Sequence, residues 1–183
     1  MAMLIRTGPP ASMRLAKGAS RPLTEGERAL LPPPLADAVK LGKVRIVARY
    51  HSPLARLFHV TIARGFRIFW GEAPMEAASL FERAHLAHEL VHVWQYKGLR
   101  RTGLELLVSR NYRYRLQSGR PFLSYGYEQQ AAIVEDFVRL KNGAIPRWAY
   151  GAIASIREYE RTIATAPRLV RRTQEAPLTG ALR

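Results

Sequence analysis

Apolar positions recur with two different periods along this 183-residue chain, and the switch between them marks out its elements. From Leu80 onward, through Phe81, Ala84, Ala87, Leu90, Val91 and Trp94, the steps are of three and four residues, which predicts an amphipathic helix. Ser79 and Glu82 have capping-box spacing at its start, and Gly98, after Lys97, is the expected left-handed stop. Upstream the period shortens. Lys43 to Arg49, Val60 to Ala63 and Phe66 to Trp70 predict strands, the last two joined by a tight hairpin at Arg64-Gly65. A second capping box, Thr24 to Glu27, opens a short helix that the Pro32-Pro33-Pro34 run must end, and 35–41 adds a helical turn or two before Gly42. Downstream, 104–109 predicts a short helix. Ser124 is a candidate N-cap for a helix carrying Ile133, Phe137 and Leu140, and a last helix is expected from Pro146 to about Ala164. The ends lack periodicity, so 1–22 is expected to be a flexible N-terminal segment and 167–183 a flexible basic tail around a single domain, 23–166. The fold class expected is α+β: a small antiparallel sheet, then one long helix, then a packed helical C-terminal part.

Composition narrows the chemistry. There is no cysteine, which excludes disulfides and thiolate metal sites, so any zinc must be held by histidine and carboxylate. No apolar run is long enough for a signal peptide or a bilayer span, which makes a cytoplasmic protein the default and leaves export by a signal-independent route open. Twenty-nine basic residues against 14 acidic give a net charge of +15, which implies attraction to a polyanion: nucleic acid, an anionic envelope polymer or an acidic protein. Arginines cluster at Arg100-Arg101, from Arg110 to Arg120, and at Arg168, Arg171 and Arg172. Solvated basic surface is the plainer reading. Tyr112-Arg113-Tyr114-Arg115 is the best argument for a nucleic-acid-binding alternative, because interleaved tyrosine and arginine can stack on bases. It also suits an exposed strand whose tyrosines pack on the domain.

The predicted long helix carries His88-Glu89-Leu90-Val91-His92. Four-residue spacing puts both imidazoles on one helical face, where they can grip one Zn²⁺, while Glu89 projects to the side as candidate general base toward a metal-activated water. The plainer reading is two histidines making ordinary hydrogen bonds. A catalytic zinc wants three protein ligands and one open position. No histidine follows His92, so the third ligand is expected to be one of Glu105, Glu128, Glu135, Asp136, Glu158, Glu160 and Glu175. Glu128 is best placed, in the first turn of a helix with small residues, Ala131 and Ala132, one turn on. Glu135 shares its face but lies about 10 Å along the axis, too far to share the ion. His85 is expected to line the cleft or orient a neighbouring group; a fourth ligand there would close the site. Tyr125 or Tyr127 could donate to the oxyanion formed when water attacks a carbonyl, with core packing the alternative. His51 and His59 have no spacing partner and are not expected to be ligands. The strands before the helix could hold an extended peptide by strand addition.

Leu23-Thr24-Glu25-Gly26-Glu27, Val44-Arg45-Ile46, His88 to Gln95 and Tyr127-Glu128-Gln129-Gln130-Ala131 together resemble the Vgr-related proteins, small bacterial proteins similar to the metallopeptidase domain of contractile injection system gene clusters. The resemblance covers about residues 23–142. It implies a minimal zincin with a glutamate third ligand: metal on His88, His92 and Glu128, base at Glu89. The chain departs from the family pattern in its basic charge, its Arg-rich ends and Leu35-Ala36-Asp37-Ala38, where an aromatic-glycine start is expected. The function expected is a zinc-dependent metallopeptidase acting on a peptide or protein and associated with an injection system, with a secretion-system spike or another acidic protein as partner. The alternatives are a catalytically silent zincin-like binding module and a basic nucleic-acid binder.

Overall fold

A computed structural model describes residues 13–98 and 111–167. The predicted helix 104–109, the candidates Glu105 and Glu175, the arginines at 100, 101, 110, 168, 171 and 172, and most of both proposed flexible ends lie outside these residues. Between them the chain forms β1 (Ser20–Pro22), α1 (Glu25–Arg28), α2 (Pro33–Ala36), β2 (Arg45–Val47), α3 (Pro53–Leu57), β3 (Ile62–Arg64), β4 (Arg67–Phe69), α4 (Leu80–Gly98), α5 (Tyr127–Lys141) and α6 (Ile156–Ala164). This is the α+β architecture the pattern predicts. No helix among the described residues is long and apolar enough to cross a membrane.

The sheet has the order β1-β2-β4-β3. Its outer pairs are antiparallel, but β2 and β4 run parallel, with Ile46 opposite Ile68. The sheet is therefore mixed rather than purely antiparallel. Residues 48–61 cross over with α3 before the β3–β4 hairpin returns the chain beside β2, and a crossover delivers a parallel neighbour. Gly65, at φ 65°, makes the hairpin turn where L residues with side chains are disfavoured. Residues 13–22 are tied down, which differs from the expected flexible start: β1 pairs with β2, and Leu15 N–H donates to Ala73 O.

Ile46 and Ile68, fully buried, turn one face of the sheet toward α4. The Ser79 cap forms as predicted: its hydroxyl accepts from Glu82 N–H, and the Glu82 carboxylate accepts from Ser79 N–H. From Leu86 to Gln95 the helix is buried on every side, because α5 covers the face that carries the histidines. The face read as polar is thus interior. Ala131 and Ala132, both fully buried, allow close packing there.

Two downstream boundaries move. Ser124 ends a 3₁₀ turn (Phe122–Ser124), and α5 starts after Gly126, whose N–H donates to the Gln129 side chain. The predicted helix from Pro146 begins only at Ile156, capped by Ser155 and Glu158. Its first part is held in a bend outside any helix because Asp136, buried on α5, accepts the backbone N–H groups of Arg147, Trp148 and Ala149. That captured segment places Trp148 beside the histidines.

Candidate metal centre

His88 and His92 leave α4 one turn apart and meet Glu128 from the first turn of α5. Both Nε2 atoms approach the same carboxylate oxygen, Glu128 Oε2, at 3.2 Å and 3.3 Å. One ligand atom from each residue lies within 4.8 Å of the others, and all three residues are buried. Zinc bonded to nitrogen and oxygen at about 2.0–2.1 Å has tetrahedral edges of about 3.3 Å, which the two nitrogen–oxygen edges match. The donor set suits it: two imidazoles, one carboxylate and room for a fourth position.

The outward-facing nitrogens are held as well. His92 Nδ1 is 2.7 Å from Gln95 Oε1, and the Gln95 amide donates to Tyr127 O and Gln130 Oε1. His88 Nδ1 lies 3.2 Å from Glu135 Oε2, which also accepts from the Trp148 indole N–H at 2.7 Å. The acceptor at His92 Nδ1 fixes that ring's orientation and leaves its Nε2 free of a proton for a metal, whereas His88 Nδ1 meets Glu135 as an ion pair without hydrogen-bond geometry. Glu135 thus stands beside the site, outside the group formed by His88, His92 and Glu128. Its contact with the far side of the His88 ring is absent from the sequence reading, as are the parts of Gln95 and Trp148.

Electrostatics follow from the burial. Desolvation works against charge on His88, yet contacts with Glu128 and Glu135 prevail and raise its pKa to about 10. Burial likewise opposes ionised Glu128, but His88 and His92 hold it down to about 2. Glu135 is held below the usual carboxylate range, against its desolvation, by His88, Trp148 and Arg147. Without a metal the cluster therefore keeps a proton on His88 between two carboxylates.

Glu89 is 4% exposed, and its Oε2 is buried without a hydrogen-bond partner. Its other oxygen lies 4.0 Å from His85 Nε2. His85 is outside the donor group. It lines the cleft, hydrogen-bonds Thr61 Oγ1 at 2.9 Å, and packs edge-on against Trp70, tying α4 to the strand edge. Burial lowers its pKa, partly offset by Glu89.

The cleft over these residues has a volume of about 1490 Å³ and runs between α3, the β3 edge and the histidine face of α4. Tyr127 stacks on His92 with centroids 4.8 Å apart and lines it. Tyr125 does not. Its hydroxyl accepts from Gln117 N–H and its ring packs on Tyr114, so it is a packing residue and the oxyanion reading fails for it. Tyr112 enters the cleft, stacked on Trp148 at 4.8 Å and 5.8 Å from the His88 ring. Tyr114 is 2% exposed, donates to Asp136 and meets the Tyr159 hydroxyl. The Tyr-Arg alternation therefore presents packed rings, with only Arg113 and Arg115 facing outward, and the base-stacking argument loses its aromatic half. His51 and His59 contact Arg64 and Tyr50 at the cleft's outer wall, apart from the donor group.

Over 137 residues, 68% of its length, the chain is 30% identical to the type VI secretion system spike protein VgrG2b of Pseudomonas aeruginosa. The chain is related to VgrG2b. It spans 13% of that spike protein, so the relationship concerns one part of it. The effector domain of VgrG2b has the same fold, with a TM-score of 0.56, 23% identity and 89% of each chain covered. No family model matches the chain.

Proposed function

We propose that this chain is a zinc-dependent metallopeptidase associated with a type VI-like secretion apparatus. The observation that carries the catalytic half is the convergence of His88, His92 and Glu128 beside a buried Glu89 carboxylate with an unpartnered oxygen. The relationship to a spike protein supports the secretion half.

His88, His92 and Glu128 would hold the ion, and zinc bound there supplies Lewis acidity and lowers the pKa of water toward neutrality. The remaining steps belong to the chain. Gln95 and Glu135 keep the two rings turned so that Nε2 faces the cleft. The Glu89 carboxylate accepts a proton as water oxygen bonds to the carbonyl carbon, then returns it to the amine as the C–N bond breaks. The β3 edge, beside α4, suits an extended substrate that pairs by backbone hydrogen bonds.

The test is a pair of variants. Glu89→Gln retains zinc stoichiometry and loses at least about 100-fold in peptide cleavage, the scale of a general base. His88→Ala loses the metal. Full activity in Glu89→Gln removes the base assignment. One zinc per chain with no turnover on any peptide library marks the catalytically silent module instead.

A further inference from the structure

From Ala38 to Gly71 the chain contains seven basic residues and no acidic one, and this stretch builds most of the sheet and α3. Three of its arginines stand in one row. Arg45 on β2 is opposite Arg67 on β4, which is opposite Arg64 on β3, and all three are exposed. Register partners share a sheet face, so at strand spacing the row is roughly 10 Å wide. Like charges directly opposite one another destabilise a sheet. Among the described residues the arginine–carboxylate pairs are Arg14–Glu82, Arg21–Glu27 and Arg147–Glu135, all away from this row. Among the described residues the row therefore has no carboxylate counter-charge.

An apolar cluster adjoins it. Leu54, Leu57 and Phe58 are 65%, 70% and 58% exposed at helical spacing on and just after α3. The link between the two features is direct. His51, which leads into α3, packs edge-on against Phe69 with centroids 5.0 Å apart and meets Arg64 at 3.2 Å. Phe69 lies two residues beyond Arg67 on the same strand face, and the Arg49 guanidinium sits over its ring. Arg56 stands exposed among the leucines.

We infer that this face is a docking surface for a bilayer containing anionic phospholipid. Guanidinium forks suit headgroup phosphates, and exposed aliphatic side chains beside them suit the acyl boundary. A nucleic acid would satisfy the arginines and leave Leu54 and Leu57 without a partner, because base stacking requires aromatic faces. Since Leu54 and Phe58 also line the cleft, docking holds its mouth at headgroup level.

Flotation of the full chain with phosphatidylglycerol–phosphatidylcholine vesicles, and with phosphatidylcholine alone, tests it. Binding is expected to the anionic vesicles only, and to weaken with salt. Replacing Arg45, Arg64 and Arg67 together by serine should lower affinity by about 100-fold, since each cation near such a surface contributes about fivefold. The triple change Leu54→Ser, Leu57→Ser and Phe58→Ser should lower it by at least about tenfold and leave the salt dependence in place. Circular dichroism and melting temperature check that both variants fold. No binding to anionic vesicles, or equal binding to neutral ones, overturns the proposal. So does an apolar triple variant that binds vesicles as well as the parent while duplex DNA competes charge for charge, which identifies a general polyanion surface.

Discussion

Glu128 and Glu135 lie two helical turns apart on α5, and the His88 imidazole fits between them with one nitrogen toward each. The axial offset between the two carboxylates is what argued Glu135 out of the donor set from sequence. It could not reveal this contact, because a histidine ring has a far side of its own. Glu135→Gln should therefore keep one zinc per chain while weakening affinity about 10- to 100-fold, whereas Glu128→Ala removes a ligand and loses far more; titration against a competing chelator separates them. The pH dependence follows from the same residues. With its pKa raised from 6.5 to about 10, metal-free His88 contributes stability that is complete below 6.5 and lost as pH rises through about 10. Glu128, lowered from 4.5 to about 2, contributes above 4.5 and ceases to as pH falls through about 2. Zinc must displace the His88 proton, so affinity should rise about tenfold per pH unit across neutrality with one proton released, measurable by calorimetry in buffers of different ionisation enthalpy.

At the scale of elements, α4 was legible because local signals agree with its burial: the Ser79–Glu82 cap, the three- and four-residue steps and the motif all fall in one stretch. Its amphipathic reading missed that histidine and glutamate can face an interior, since polar residues count as outward in any periodicity argument. The stretch from Pro146 has helix-compatible residues, yet Asp136 takes its backbone N–H groups, a tertiary contact that no local pattern encodes. Two substitutions tell these roles apart. Ser79→Ala should cost about 1 kcal/mol, the usual loss of a cap, with zinc affinity unchanged. Asp136→Ala leaves three N–H groups and the Tyr114 hydroxyl without their acceptor. It should cost at least about 3 kcal/mol and weaken zinc binding as well, because Trp148 loses its anchor beside Glu135. Thermal melts and chelator titrations on the same samples read both effects.

For the molecule as a whole, the three donors come from two helices that pack along most of their length, so the ion would act as a clamp between them. At a free zinc concentration about 1,000 times Kd, binding only the folded state adds about 4 kcal/mol, which should raise the melting temperature by roughly 10 °C and be reversed by chelator. A smaller rise in Glu128→Ala than in Glu89→Gln would distinguish a ligand from a base. Net charge was plain in the sequence, but its placement was not: only the register of β2, β4 and β3 aligns Arg45, Arg67 and Arg64. The parallel pairing of β2 with β4 also bears on how such a molecule diversifies. The excursion between Val47 and Arg67 departs from one central strand and returns to its immediate neighbour, carrying α3 and one wall of the cleft, while His88, His92 and Glu128 lie elsewhere in the chain. It is anchored at both ends like a cassette, so exchanging it for the equivalent stretch of a relative should change what the cleft accepts while the His-His-Glu triad stays where it is.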